Sequence, residues 1–255
     1  MTLILKTSKS ITIAGLLVLM GVPSLPAQDA RDIIQRMEET MLGESSYAEM
    51  TMTIERPRFT REISLRAWAK GNDYSLILVT APARDEGMAF LKRYNEIWNY
   101  VPSIDRTIKM PPSMMSESWM GSDFSNDDLV RESSTVDDYE HRVLRTEEYN
   151  GYECYVLELI PKPDSPIVWG KVLMWVSRDH YMQLRVENYD QRDRLANTIE
   201  MDRIRDLGDR TLPTRMILTP ADRPGQRTIL AYGNLEFDIA INEDFFTQHN
   251  MRRVR

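Results

Sequence analysis

Cysteine is nearly missing from this chain: Cys154 stands alone among 255 residues, so no internal disulfide can form. It sits in YECYVLEL, alternating with apolar neighbours and without a nearby histidine or basic cluster, and reads as a small buried hydrophobe, not a reactive thiol. Histidine is scarce too. His141, His180 and His249 are scattered and carry no metal-ligand spacing. There is no G-x-S-x-G elbow, P-loop, H-E-x-x-H pair or paired-cysteine site. Gly121-Ser122-Asp123-Phe124 holds the letters of an esterase-like motif in the wrong order. Asp123, Asp127 and Asp128 miss the spacing of an EF-hand loop. The residues therefore call for no cofactor, metal or catalytic group. Positive charge is short as well: the formal net charge is −7. So acidic a chain is a poor partner for nucleic acid or for broad contact with anionic headgroups.

What is present begins with a signal peptide. Lys6 and Lys9 precede the apolar run Ile11 to Val22, and PSLPAQ follows as a small-residue exit. The run is too short to span a bilayer, so cleavage after Ala27 is expected, with a retained anchor as the alternative reading. No cysteine follows to take a lipid. Loss of Lys6 and Lys9 would leave −7 − 2 = −9 on residues 28–255. This mature chain is expected to be one periplasmic domain. It is long enough to bury a core without disulfides.

Next comes one helix, with Asp29 as cap, Ile33, Ile34, Met37, Met41 and Leu42 at helical spacing, and Gly43 as stop. From Tyr47 the period becomes two: Met50, Met52 and Ile54 share one face, and Glu49, Thr51, Thr53 and Glu55 the other. About a dozen such strands follow with no βαβ alternation, which predicts an antiparallel meander. Asn150-Gly151 marks a two-residue hairpin, because both positions tolerate positive φ. In Val168–Val176, apolar residues fall on both faces, so something apolar must cover the second one: the helix, another segment or a ligand.

One stretch breaks the pattern. Lys109 to Val130, KMPPSMMSESWMGSDFSNDDLV, packs Met110, Met114, Met115, Trp119, Met120 and Phe124 into a segment interrupted by Pro and Gly. Long loops inside compact domains are often lids or binding loops, and methionine suits surfaces that must fit varied apolar ligands. The same side chains could instead plug the end of a β core. As a lid, Gly121 would be the hinge, and Asp127 and Asp128 would cap the first turn of an anchoring helix.

LRAWAKG, the P-x-x-x-x-G-M-A-F-L step from Pro82, IWNYVPSIDRTIKMPP and above all SWMGSDFSNDDL resemble the outer membrane lipoprotein-sorting protein family. That family lies within the LolA/LolB-like carrier superfamily. The resemblance covers essentially residues 28–255. It implies an α+β fold: a single, strongly curved antiparallel sheet, a half-open barrel of roughly 11–13 strands, with helices covering its concave face. It further implies a periplasmic carrier of lipid, or of lipoprotein acyl chains, moving toward the outer membrane. An inner-membrane exporter of the resistance-nodulation type is the implied partner. The GSDF segment and the length depart from the lipoprotein chaperone itself, so the cargo is left open. Two other readings stand beside carriage: an exporter adaptor without lipid cargo, and a hydrolase using Ser122 or the Asp127/Asp128 pair.

Overall fold

The structure, a computed structural model, describes residues 29–128, 135–163, 165 and 167–254. The expected signal peptide lies outside them. Helix α1 (Ala30–Leu42) starts where expected: the Asp29 carboxylate accepts the Arg31 N–H at 3.0 Å, a cap that contributes about 1 kcal/mol. It stops at Gly43, whose φ of 64° suits glycine and whose N–H donates to the Glu39 carbonyl. Ala30, Ile33, Ile34 and Met37 form its buried stripe.

Thirteen strands follow: β1 (Ser45–Arg56), β2 (Phe59–Lys70), β3 (Tyr74–Ala81), β4 (Ala89–Arg93), β5 (Glu96–Val101) and β6 (Arg106–Lys109), then β7 (Tyr139–Tyr149), β8 (Tyr152–Pro161), β9 (Lys171–Ser177), β10 (Gln183–Tyr189), β11 (Leu195–Asp206), β12 (Thr211–Pro220) and β13 (Arg227–Phe237). They make a single antiparallel sheet in the order β6-β5-β4-β3-β2-β1-β13-β12-β11-β10-β9-β8-β7. Every neighbour is consecutive in sequence except β1 and β13. The sheet is not closed; β6 and β7 are its free edges. Asn150 and Gly151, at φ 51° and 83°, form the predicted tight turn, with Tyr149 opposite Tyr152.

The register lays out the inner face. Ile54, Thr228, Leu218, Ile199, Val186, Met174, Leu157 and Val143 stand opposite one another in a row across eight strands. Two core clusters meet along this face. One joins α1 to Leu157, Leu159, Val172 and Met174; the other joins Met52, Ile63, Ile77 and Phe90 to the Met-rich segment; Ile199 packs against both. Curving the sheet around these two covers buries an apolar face that an open sheet would leave wet.

Trp169 departs from the expected alternation. It precedes β9 and packs with the cluster under α1 instead of continuing the row of Leu173 and Trp175. Next to it, a Cβ on Gly170 would lie 2.5 Å from the Asp190 carbonyl oxygen, so the chain runs past the end of β10 at a distance only glycine allows.

The outer face of β3–β5 is also apolar, and the C-terminal segment covers it. Phe246 and Met251, the latter in α2 (Gln248–Met251), bury against Tyr74, Leu76, Leu91 and Tyr100. Phe245 stacks at 5.4 Å on Trp68. Alternation in YSLILVT predicted neither this cover nor the doubly buried strand beneath it, because both faces of β3 are apolar.

Candidate functional site

Between the inner face of the sheet, α1 and the Met-rich segment lie two apolar cavities. The smaller is about 130 Å³ and is walled by residues of α1, β1, β2, β3, β11, β12 and β13 together with Trp119. The larger, about 320 Å³, runs under α1 past Leu159, Val172 and Met174 to Phe124. Met41, Leu42, Met201, Met216, Leu230 and Tyr232 belong to the walls of both, so the two form neighbouring chambers of one interior. The larger chamber is of the size at which ligand-binding cavities begin, roughly 300 Å³. Phe124, Asp128 and Trp169 also border a polar surface cleft of about 600 Å³, rich in serine.

The Met-rich segment is a compact loop bonded to itself. The Trp119 N–H donates to the Phe124 carbonyl at 2.8 Å, the Asn126 N–H to that of Glu117 at 2.9 Å, and the Asp127 N–H to that of Met115 at 2.9 Å. Asn126 Nδ2 reaches the Met114 carbonyl at 2.8 Å. Trp119 is 0% exposed and Phe124 2%, and the Trp119 ring sits 5.1 Å from that of Phe90. Met110 and Met115 are buried and Met120 is partly buried against the same cluster, whereas Met114 is 41% exposed; of the six, only Trp119 and Phe124 belong to a chamber wall.

Gly121 has a φ of 81° and Met120 a φ of 51°, the tight reversal that a hinge would use. Yet both flanks are tied down. Arg56 donates from Nη2 to the Gly121 carbonyl at 3.0 Å and from Nη1 to Asp123 at 2.8 Å; Arg61 donates to the Met120 carbonyl at 3.0 Å. Thr228 Oγ1 donates to the same Asp123 oxygen at 2.7 Å and accepts the Asp123 N–H at 3.0 Å. The Asp123 side chain is 1% exposed and that of Arg56 13%, so this ion pair is buried and hydrogen-bonded, the arrangement in which removing one partner is costly. Here the acid of GSDF is a clamp onto β1 and β13.

At the far end of the segment, Asp128 caps a helical turn. Ser125 and Asp128 bond reciprocally: Asp128 Oδ2 accepts the Ser125 N–H at 2.8 Å and its Oγ–H at 2.7 Å, while the Asp128 N–H donates to Ser125 Oγ at 3.1 Å. This is a capping box with Asp in place of Glu, opening a helical turn at Asn126. Burial pushes the Asp128 carboxyl above its ordinary value, and the Ser125 hydrogen bonds offset only part of that. Asp127 also borders the larger chamber. The Ser122 hydroxyl is spent within its own loop, accepting the Phe124 N–H at 3.2 Å and donating to the Phe124 carbonyl at 3.3 Å. Among the described residues, no three His, Cys, Asp or Glu side chains converge as a metal site.

Sequence reading concentrated the apolar lining in one segment and missed most of the walls. Met50, Met201 and Met216 come from three different strands, and Met41 and Leu42 from α1. A signal existed in their period-two placement, but only the register brings them together.

A thirteen-stranded open sheet folded around an apolar interior defines the class: a LolA-like half-barrel. A family model described as "Uncharacterized protein" matches residues 71–253, and the chain belongs to that family. A domain of Vibrio parahaemolyticus described as an outer membrane lipoprotein-sorting protein is similar at 26% identity and a TM-score of 0.79; 88% of this chain and 98% of that one are covered. A DUF1329 family protein of Desulfovibrio piger is similar at 27% identity and a TM-score of 0.80, covering 87% and 97%. A LolA superfamily protein of Nitrosomonas europaea shares the fold at 24% identity and a TM-score of 0.75, covering 88% and 99%. No curated protein matches the chain.

Proposed function

We propose that this protein is a periplasmic carrier that sheathes the acyl chains of a lipid or lipoprotein in its interior and moves them toward the outer membrane. The observation that carries this is the apolar interior itself: adjoining chambers between sheet, α1 and loop, in a fold whose relatives include a lipoprotein-sorting domain. A sixteen-carbon chain leaving a bilayer gives up roughly 12 kcal/mol of burial, at about 0.8 per CH₂, and only an equally apolar wall recovers it. Such carriage needs no chemistry. In this reading Met110, Met115, Trp119, Met120 and Phe124 close the interior, with Met114 on the loop's outer side. The clamps from Arg56 and Arg61 hold the cover shut at rest. An inner-membrane exporter of the resistance-nodulation type as donor rests on the family resemblance.

The test is native mass spectrometry and lipid extraction of protein purified from a periplasmic extract, with amino-terminal sequencing of the same sample. Co-purified acyl lipid on a chain starting at Gln28 is expected. A chain that is ligand-free, and that takes up no lipid from vesicles, would favour an adaptor role and sink the carrier reading.

A further inference from the structure

The smaller chamber is apolar except at a few points, and two of these lack a partner. Trp119 and Ser75 both belong to its wall, and Trp119 Nε1 and Ser75 Oγ are buried with no hydrogen-bond partner in the protein. Ser75 is on the inner face of β3, since its neighbours Tyr74 and Leu76 turn to the outer cluster while Ile77 joins the inner one. Trp119 is brought to the same wall by the Met-rich loop and braced by Phe90 at 5.1 Å. Native interiors rarely leave such groups unpaired. An indole nitrogen only donates, so what Trp119 lacks is an acceptor; a serine hydroxyl can serve the same acceptor. A hydrocarbon tail has none. The carbonyl that joins an acyl chain to the rest of its molecule has two lone pairs.

We propose that Trp119 Nε1 and Ser75 Oγ form a carbonyl-reading subsite, so that the cargo is an acyl ester or amide and not a bare hydrocarbon. The proposal rests on the carrier reading and narrows it. Because both atoms are fully buried, the carbonyl reaches them by widening the chamber from within. The remaining wall supplies the apolar sheath for the first carbons of the chain, and the larger chamber takes the rest.

The test loads the mature protein with methyl palmitate or hexadecane from cyclodextrin and measures retention of each. The subsite predicts that Trp119→Phe, which keeps an aromatic ring but loses the donor, and Ser75→Ala each weaken ester binding roughly three- to tenfold. Hexadecane binding should not change. The Trp119 indole N–H resonance, identified by its loss in Trp119→Phe, should move on adding the ester and stay still with hexadecane. Should Trp119→Phe fail to fold, Ser75→Ala carries the affinity test, and the indole signal that moves with ester alone carries the other. Equal ester affinity in the wild type and every folded variant, with no indole resonance moved by the ester, would overturn the subsite while leaving carriage standing. Binding of neither probe would overturn both.

Discussion

Trp119 offers the sharpest perturbation, because a cover and a core residue respond to truncation so differently. Its side chain is 0% exposed, stacked 5.1 Å from Phe90 and inside a cluster with Ile77, Val79 and Met115. Truncating a buried Trp to Ala costs about 3–5 kcal/mol through lost transfer energy and the void left behind. A domain of this size has about 5–15 kcal/mol in total, and each kcal/mol moves its melting point by about 2–4 °C. Trp119→Ala is therefore expected to melt roughly 6–20 °C below the wild type. Met114→Ala, at an exposed position of the same loop, should stay within about 0.5 kcal/mol. Thermal unfolding by circular dichroism reads both, and lipid content is measured on the same preparations. A loss below about 1 kcal/mol in Trp119→Ala would show that the indole is not packed as described, and the reasoning from burial would fail. Unaltered lipid beside the full stability loss would make the loop an end-plug with no part in holding cargo.

The other expectations concern the clamp, the buried acid and the thiol. Asp123→Asn leaves the Arg56 guanidinium with only carbonyl acceptors in a buried site, and should cost about 3 kcal/mol in chemical denaturation; a loss under 1 kcal/mol would mean water replaces the carboxylate. Asp128 has a raised folded-state pKa, so the stability it permits is complete below its ordinary value of 3.8 and lost as pH rises through the raised one. Asp128→Asn should therefore gain on the wild type as pH climbs from 3 to 7, and a gap that stays constant would argue against burial as the cause. Burial pushes the Cys154 thiol up to about 11, so the folded protein should resist iodoacetamide at neutral pH and react only when unfolded. Fast labelling of the native state would show that β8 opens.

Much of the frame was legible because local chemistry specified it. Asp29 and Gly43 bracket α1, Asn150-Gly151 turns β7 into β8, and the short strands show a two-residue period. What was not legible depended on pairing. No local signal says that β13 lies beside β1, and without that step Leu230 and Tyr232 cannot be placed across from Met52 and Met50. The clamp was hidden for the same reason: Arg56 looks like a solvated strand end until Asp123 arrives from the loop. Two-sided burial misled in another way, since β3 shows no polar face to indicate that the C-terminal segment covers it.

The strand order also governs how the molecule can be assembled. Strands β1 to β6 form one meander and β7 to β13 another, each built from neighbours in sequence that can pair as soon as they exist. Only the β1–β13 seam spans the chain, so the entropy of closing that long loop falls on one ladder. Until β13 is made, β1 keeps an unpaired edge of twelve residues, a template for whatever extended chain comes first. A protein cut short before Arg227 would therefore not be a slightly smaller version of the same fold. It would be two unjoined sheets with half an interior each.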